Sequence, residues 1–186
     1  MWLEKEVRTF DPHDSANAIK SFPIRPYIPP LVKAWLEEPI ILVPKSRQMM
    51  ISWLFVSLVL HEAQFYPYRL EAIFSKKEED ALELGERAKF VYENQSEWLK
   101  EACPLDRKMR DMPRGNLFYD NGSKLRGFAQ GKDQVRGYVP TTALIDEAAF
   151  QDKLRETYAA CIPSCKRIVL VSSANPGFFQ RLCEAA

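Results

Sequence analysis

Four short runs dominated by apolar residues mark candidate strands along this chain: residues 40–43, 71–74, 142–145 and 167–172. Residues 142–145, with no polar alternation, suit a strand buried on both faces, residues 40–43 read as a buried strand, and the other two runs read as further strands. Between them the period changes. Residues 31–37 predict a short helix with Leu31, Ala34 and Trp35 on one face, and residues 53–63 predict an apolar, buried helix. Ser75 opens a capping box with Glu78 three residues on. Ala81, Leu84, Ala88, Val91, Gln95 and Trp98 follow at spacings of three and four, which predicts one long amphipathic helix. Residues 154–161 predict another helix. Asp120-Asn121-Gly122-Ser123 sits between residues 116–119 and 124–128 as the turn of a hairpin. Residues 105–113 are basic and without clear period. Pro12, Pro23, Pro26, Pro29 and Pro30 make residues 1–30 an irregular segment expected to lie across the surface.

The alternation of strand and helix predicts an α/β domain over residues 31–186, with a mainly parallel sheet and helices on both faces. No internal repeat is present. The chain stops on a helical segment without terminal punctuation, as expected of a piece of a longer protein.

Composition narrows the classes. At 186 residues, 46% hydrophobic and 27% charged, the chain is an ordinary globular domain with a substantial core. A net charge of +1 is no nucleic-acid footprint by itself, although residues 105–136 carry eight basic side chains against four acidic ones. The four cysteines show no CxxC spacing and only two histidines accompany them, so buried free thiols are expected rather than a zinc site. No run is long enough for a membrane span and the N-terminus has no signal-peptide core. An intracellular protein is expected.

Chemistry concentrates where Thr142–Ile145 runs into Asp146 and Glu147. Carboxylates at the C-terminal end of a buried parallel strand emerge where open α/β sheets bind ligands. In a nucleotide hydrolase the first suits Mg²⁺ and the second suits activation of the attacking water. The simpler reading is a helix whose first turn carries acids for the macrodipole. The loop after residues 40–43 reads Pro44-Lys45-Ser46-Arg47-Gln48-Met49-Met50-Ile51-Ser52, between a buried strand and a helix start that can receive an anion. Laid over the eight-position phosphate-loop pattern, only the hydroxyl of Ser52 survives. Lys45 stands at the first glycine, Met50 at the second, Ile51 at the lysine, and no glycine precedes Gly85. Lys45 and Arg47 still supply cations, and Ser52 still stands at a metal-ligand position. A plain basic strand–helix connection fits the same residues.

Lys45-Ser46-Arg47-Gln48, then Asp146-Glu147-Ala148-Ala149-Phe150, then Ser172-Ser173-Ala174-Asn175-Pro176 together resemble the ATPase domain of tailed-phage large terminases, over roughly residues 22–180. The resemblance implies a P-loop fold of the additional-strand class and a motor that uses ATP and Mg²⁺ to pump viral double-stranded DNA into the procapsid. Its partners would be the portal protein and the small terminase subunit, its working form a homo-oligomeric ring on the portal, and its place the host cytoplasm. Carried over by position, Lys45 contacts phosphate with Arg47 as a second cation, and Ser46 and Gln48 belong to the same deviant Walker A loop. Ser52 and Asp146 serve Mg²⁺, and Glu147 is the catalytic carboxylate. Arg136 stands where the family's candidate trans-acting arginine finger stands. It reads equally as a surface arginine in a basic loop. Ser173 and Asn175 belong to the coupling motif, and Tyr27 to the adenine side.

Two positions depart from the family pattern. Met50 replaces a glycine that terminases commonly keep, and Tyr27 is followed by Ile28-Pro29-Pro30 instead of the usual glutamine. The family's C-terminal nuclease domain is not in this sequence. A helicase-like ATPase would need a second recombinase-like domain and a longer motif series. A degenerate fold that docks or binds DNA without hydrolysis is favoured by the missing glycines and disfavoured by the Asp146-Glu147 pair. Without a neighbour's arginine, the isolated chain is expected to be monomeric with little ATPase activity.

Overall fold

A computed structural model describes residues 2–106 and 114–186. From the N-terminus the chain forms helix α1 (Trp2–Glu6), strands β1 (Arg8–Phe10) and β2 (Ile19–Ser21), and helix α2 (Ile28–Glu37). Strand β3 (Ile40–Pro44), helix α3 (Ile51–Phe65), strand β4 (Leu70–Ser75) and helices α4 (Glu78–Glu93) and α5 (Glu97–Ala102) follow. Then come β5 (Leu117–Phe118), β6 (Lys124–Ala129), α6 (Lys132–Tyr138), β7 (Thr142–Asp146), α7 (Leu154–Cys161), β8 (Arg167–Ser172) and α8 (Phe178–Ala185). Six strands make one sheet in the order β3-β8-β7-β4-β6-β5. All neighbours are parallel except β5 and β6, which close the expected hairpin at the edge.

Strand period distributes the core over both faces of this sheet. Ile73, Leu144, Val169 and Val171 face one cluster, where they meet the all-round apolar helix α3 through residues such as Leu54, Phe55 and Leu58. Ala72, Phe74, Ala143, Ile145, Ile168 and Leu170 face the other, against Phe128, Val135, Leu154 and Phe179. The layered α/β architecture read from the sequence is therefore present. Helix α4 lies unusually close to its neighbours. A Cβ on Gly85 would overlap the Gly115 carbonyl, so two backbones meet there that no side chain can separate.

Several sequence expectations are corrected. Residues 1–30 are not irregular: β1 and β2 pair antiparallel, and Leu3, Val7, Phe22 and Ile28 are buried in the first core cluster. Pro29 and Pro30 occupy the first turn of α2, where a missing N–H costs nothing, so they start a helix rather than forbid one. Ser75 ends β4, and α4 starts at Glu78 after Lys77 without a side-chain cap, so no capping box forms. The long helix breaks after Glu93. Gln95 is buried in a reciprocal amide pair with Gln64 of α3, at 2.7 and 3.0 Å, and the Ser96 backbone and hydroxyl both donate to Glu6 Oε2. Trp98 consequently falls in a separate helix, α5, and is 65% exposed. All four cysteines are free, but only Cys161 is buried. Most of the basic stretch at 105–113 lies outside the described residues. No helix among the described residues is long and apolar enough to cross a membrane.

Candidate functional site

The C-terminal ends of β3, β8 and β7 lie side by side, which brings three distant sequence segments to one mouth. The backbone of Lys45 prolongs the ladder by donating to the Ser172 carbonyl at 2.9 Å. Beyond it the loop turns through two left-handed residues, Gln48 at φ 62° and Met50 at φ 58°. The chain takes here, with a Cβ-bearing residue, the backbone conformation that glycine adopts freely. Tyr27 holds the loop from behind, its hydroxyl donating to the Met49 carbonyl at 3.0 Å. The Ser46 N–H meets Met49 Sδ at 3.3 Å.

Two side-chain pairs join this loop to the end of β7. Ser52, in the first turn of α3, donates its hydroxyl to Asp146 Oδ1 at 2.8 Å. Lys45 Nζ donates to Glu147 Oε1 at 2.8 Å, and the lysine side chain is only 8% exposed against 39% for the glutamate. The other oxygen of Glu147 accepts from the Ser173 hydroxyl at 3.1 Å and its N–H at 3.4 Å. Glu147 itself is left-handed, at φ 45°, which turns the chain out of the strand. The Ser172 hydroxyl accepts from the Ala149 N–H at 3.0 Å, and Asn175 donates to the Ala149 carbonyl at 2.9 Å, so the end of β8 fixes the segment after Glu147.

The two carboxyls are driven apart electrostatically. Burial raises Asp146 above the ordinary aspartate range, helped by the charge of Glu147 and opposed by the Ser52 hydroxyl. Burial also pushes Glu147 upward, but the hydrogen bond and charge of Lys45, with Ser173, outweigh it and hold Glu147 below its usual value.

Two open cavities flank the mouth. One, of about 360 Å³, is bounded by Arg47, Lys76, Arg87, Asp146, Glu147 and Ser173 among others. The second, of about 690 Å³, lies between the β1–β2 hairpin and the loop, with Phe10, His13, Arg25, Gln48, Ser52 and Trp53 in its walls.

Of the residues read from the sequence, Lys45, Arg47, Ser52, Asp146, Glu147 and Ser173 converge here, and Gln48 lines the second cavity. Asn175 acts one step away through Ala149. Tyr27 lines neither of these cavities and supports the loop instead of standing open for a base. Arg136 is exposed on α6, a helix where a loop was expected, and lines neither cavity. Sequence reasoning missed Phe10, His13 and Arg87. Only Arg87 carried a signal: it falls between Leu84 and Val91 on the apolar stripe of α4, where a cation is out of place.

The sequence matches no family model and no curated protein. Solved structures do match. The large terminase of bacteriophage HK97 superposes with a TM-score of 0.68 at 11% identity, over 92% of this chain and 36% of that one. An arginine-to-alanine variant of the large terminase ATPase domain of Thermus phage P74-26 gives 0.62 at 14% identity, over 86% and 69% of the two chains. Another structure of that ATPase domain gives 0.51 at 14% identity, over 77% and 63%. The chain thus spans about a third of the HK97 protein, and its fold is that of phage large terminase ATPase domains.

Proposed function

We propose that this chain is the ATPase motor domain of a phage large terminase, coupling ATP hydrolysis to movement of viral double-stranded DNA into a procapsid. The observation that carries this reading is the convergence of Lys45 and Ser52 on Glu147 and Asp146, from the loop after β3 onto the end of β7, two strands away in the same sheet. Lys45 and Arg47 supply positive charge to phosphates at the start of α3, replacing the lysine that Ile51 displaces. The nucleoside half extends into the larger cavity, between the β1–β2 hairpin and Trp53.

Ser52 and Asp146 are hard oxygen donors already in hydrogen-bond contact, which is the donor chemistry Mg²⁺ takes. They would hold it, and bound Mg²⁺ would neutralise charge on the phosphates. Glu147, kept ionised by Lys45, orients and deprotonates the attacking water once phosphate draws the lysine away. Ser173 and Asn175 connect that carboxylate to the end of β8 and serve as the coupling segment.

Arg136 stands exposed on α6, free to act on a neighbour's nucleotide in a ring assembled on the portal protein with the small terminase subunit, in the host cytoplasm. An arginine finger contributes ~10³–10⁵ in rate, so the isolated chain is expected to be monomeric and nearly inactive. The test is steady-state ATPase of full-length motors. Glu147→Gln should retain Mg²⁺–ATP binding and lose ~10²–10⁴ in turnover. Mixing it with Arg136→Ala subunits should restore part of the activity, since each supplies what the other lacks. Full turnover by Glu147→Gln, or brisk hydrolysis by the isolated chain, would remove these assignments.

A further inference from the structure

Arg87 is a cation on the core-facing stripe of α4, yet its guanidinium makes no hydrogen bond or ion pair among the described residues. Its recorded partner is the indole of Trp53, 5.6 Å away in the first turn of α3. It lines both cavities, the one holding Asp146, Glu147 and Ser173 and the one holding Lys45 and Ser52. This half-buried arginine has no hydrogen bond or ion pair among the described residues, although the Asp146 carboxylate feels its charge, and at the junction of two polar cavities it is placed to receive an anion.

Its placement is also rigid. Two residues earlier, Gly85 packs backbone to backbone on Gly115, and a Cβ on Gly127 of β6 would come within 2.9 Å of the Ala81 carbonyl carbon. Helix α4 is therefore seated on the sheet without room for side chains, and Arg87 projects from a fixed element instead of a loop. Arg47, by contrast, is exposed on the loop itself and lines only the smaller cavity.

We propose that Arg87 is a cis-acting phosphate contact that reaches the terminal phosphate of a nucleotide in this chain's own site and so distinguishes a triphosphate from a diphosphate. The inference rests on the nucleotide-binding reading above. Lys45 meets the phosphates from the loop side, and Arg87 meets them from α4, across the end of β7. The two positions divide the charge that a phosphate loop with its usual lysine would concentrate at one point. Arg87 acts within its own subunit, so it is independent of whether Arg136 acts on a neighbour.

The experiment is calorimetric titration of the chain with Mg²⁺–ATP and with Mg²⁺–ADP, repeated for Arg87→Gln and Arg87→Lys. Glutamine keeps most of the packing on Trp53 and removes the charge, and thermal unfolding of each variant verifies that α4 stays seated. Arg87→Gln should weaken ATP at least about tenfold, as loss of a charge-assisted hydrogen bond does. ADP should change by no more than about twofold, and Arg87→Lys should fall between the unsubstituted chain and Arg87→Gln for ATP. If both nucleotides weaken equally, or neither weakens, Arg87 is a packing residue and the inference is overturned. If the unsubstituted chain binds neither nucleotide, the nucleotide reading itself fails and takes this inference with it.

Discussion

Lys45 Nζ and Glu147 Oε1 lie 2.8 Å apart, so the cation of the loop and the carboxylate beyond β7 neutralise each other. The pair holds the Glu147 carboxyl below its usual pKa against burial, and under the proposed function an incoming phosphate has to displace it from Lys45. Because the folded carboxyl is depressed, the stabilisation from this pair is present above the ordinary glutamate pKa and is lost as pH falls through the folded value.

Replacing Lys45 by alanine should therefore raise the Glu147 pKa, since burial remains and its counterion is gone. Carboxyl-carbon NMR titration of the chain reads this directly, and an unmoved Glu147 would mean that the ion pair is not formed in solution. In the same variant, triphosphate binding should weaken more than in Lys76→Ala or Lys77→Ala. Equal effects from all three would show that the loop is no phosphate site.

Met50 tests the loop's backbone. A left-handed conformation costs a residue with a Cβ roughly 1–2 kcal/mol, which glycine does not pay, although glycine loses about 0.4–1 kcal/mol through the unfolded chain. Met50→Gly should thus leave stability unchanged or raise it by up to about 1 kcal/mol, whereas the β-branched Met50→Val should destabilise by about 1 kcal/mol or more. Urea unfolding decides it. A glycine variant well below the unsubstituted chain would show that the methionine side chain, not the backbone, determines this turn.

The sheet was legible because its strands at 40–43, 71–74, 142–145 and 167–172 are short runs dominated by apolar residues, although β3 lies at the edge with Ile40 exposed and β4 carries the buried Glu71. The β1–β2 hairpin was not, because two three-residue strands with mostly exposed side chains leave no period. Gln95 misled in a different way. It sits at a core position of the helical repeat, and only the structure reveals that its partner is Gln64, across α3, and that the helix must break to reach it. The loop's conformation was hidden for a physical reason as well. Left-handed turns are ordinarily announced by glycine, and here Gln48 and Met50 adopt them without one. Tyr27 was read as an adenine-side residue, whereas its hydroxyl donates to the Met49 carbonyl, a contact no spacing encodes.

A buried acid far from the loop gives the protein its own pH dependence. Glu71 on β4 is fully buried, with the Thr142 hydroxyl as a polar neighbour and Arg69 and Arg167 near it. Arg69 is taken by Glu62, and Arg167 approaches the same glutamate at 3.6 Å. Burial pushes Glu71 up from 4.5 to about 7, with Thr142 and the two arginines only softening the shift. A raised folded pKa means that this contribution is complete below pH 4.5 and is lost as pH rises to about 7. The loss amounts to about 3 kcal/mol at 1.36 kcal/mol per unit. Glu71→Gln should remove that component. Urea unfolding at pH 5 and pH 8 should show a larger drop for the unsubstituted chain than for the variant, and equal drops would contradict the assignment.

Under the proposed function, the Lys45 and Ser52 loop and the Asp146–Glu147 end of β7 form a Mg²⁺-dependent triphosphate site. Titrating the chain with ATP, with and without Mg²⁺, measures it most directly, using Ser52→Ala and Asp146→Asn as paired variants. The expected result is binding of one nucleotide that tightens when Mg²⁺ is added, with that tightening abolished in both variants. ATP binding that is absent, or that is indifferent to Mg²⁺ and to both substitutions, would contradict the claim.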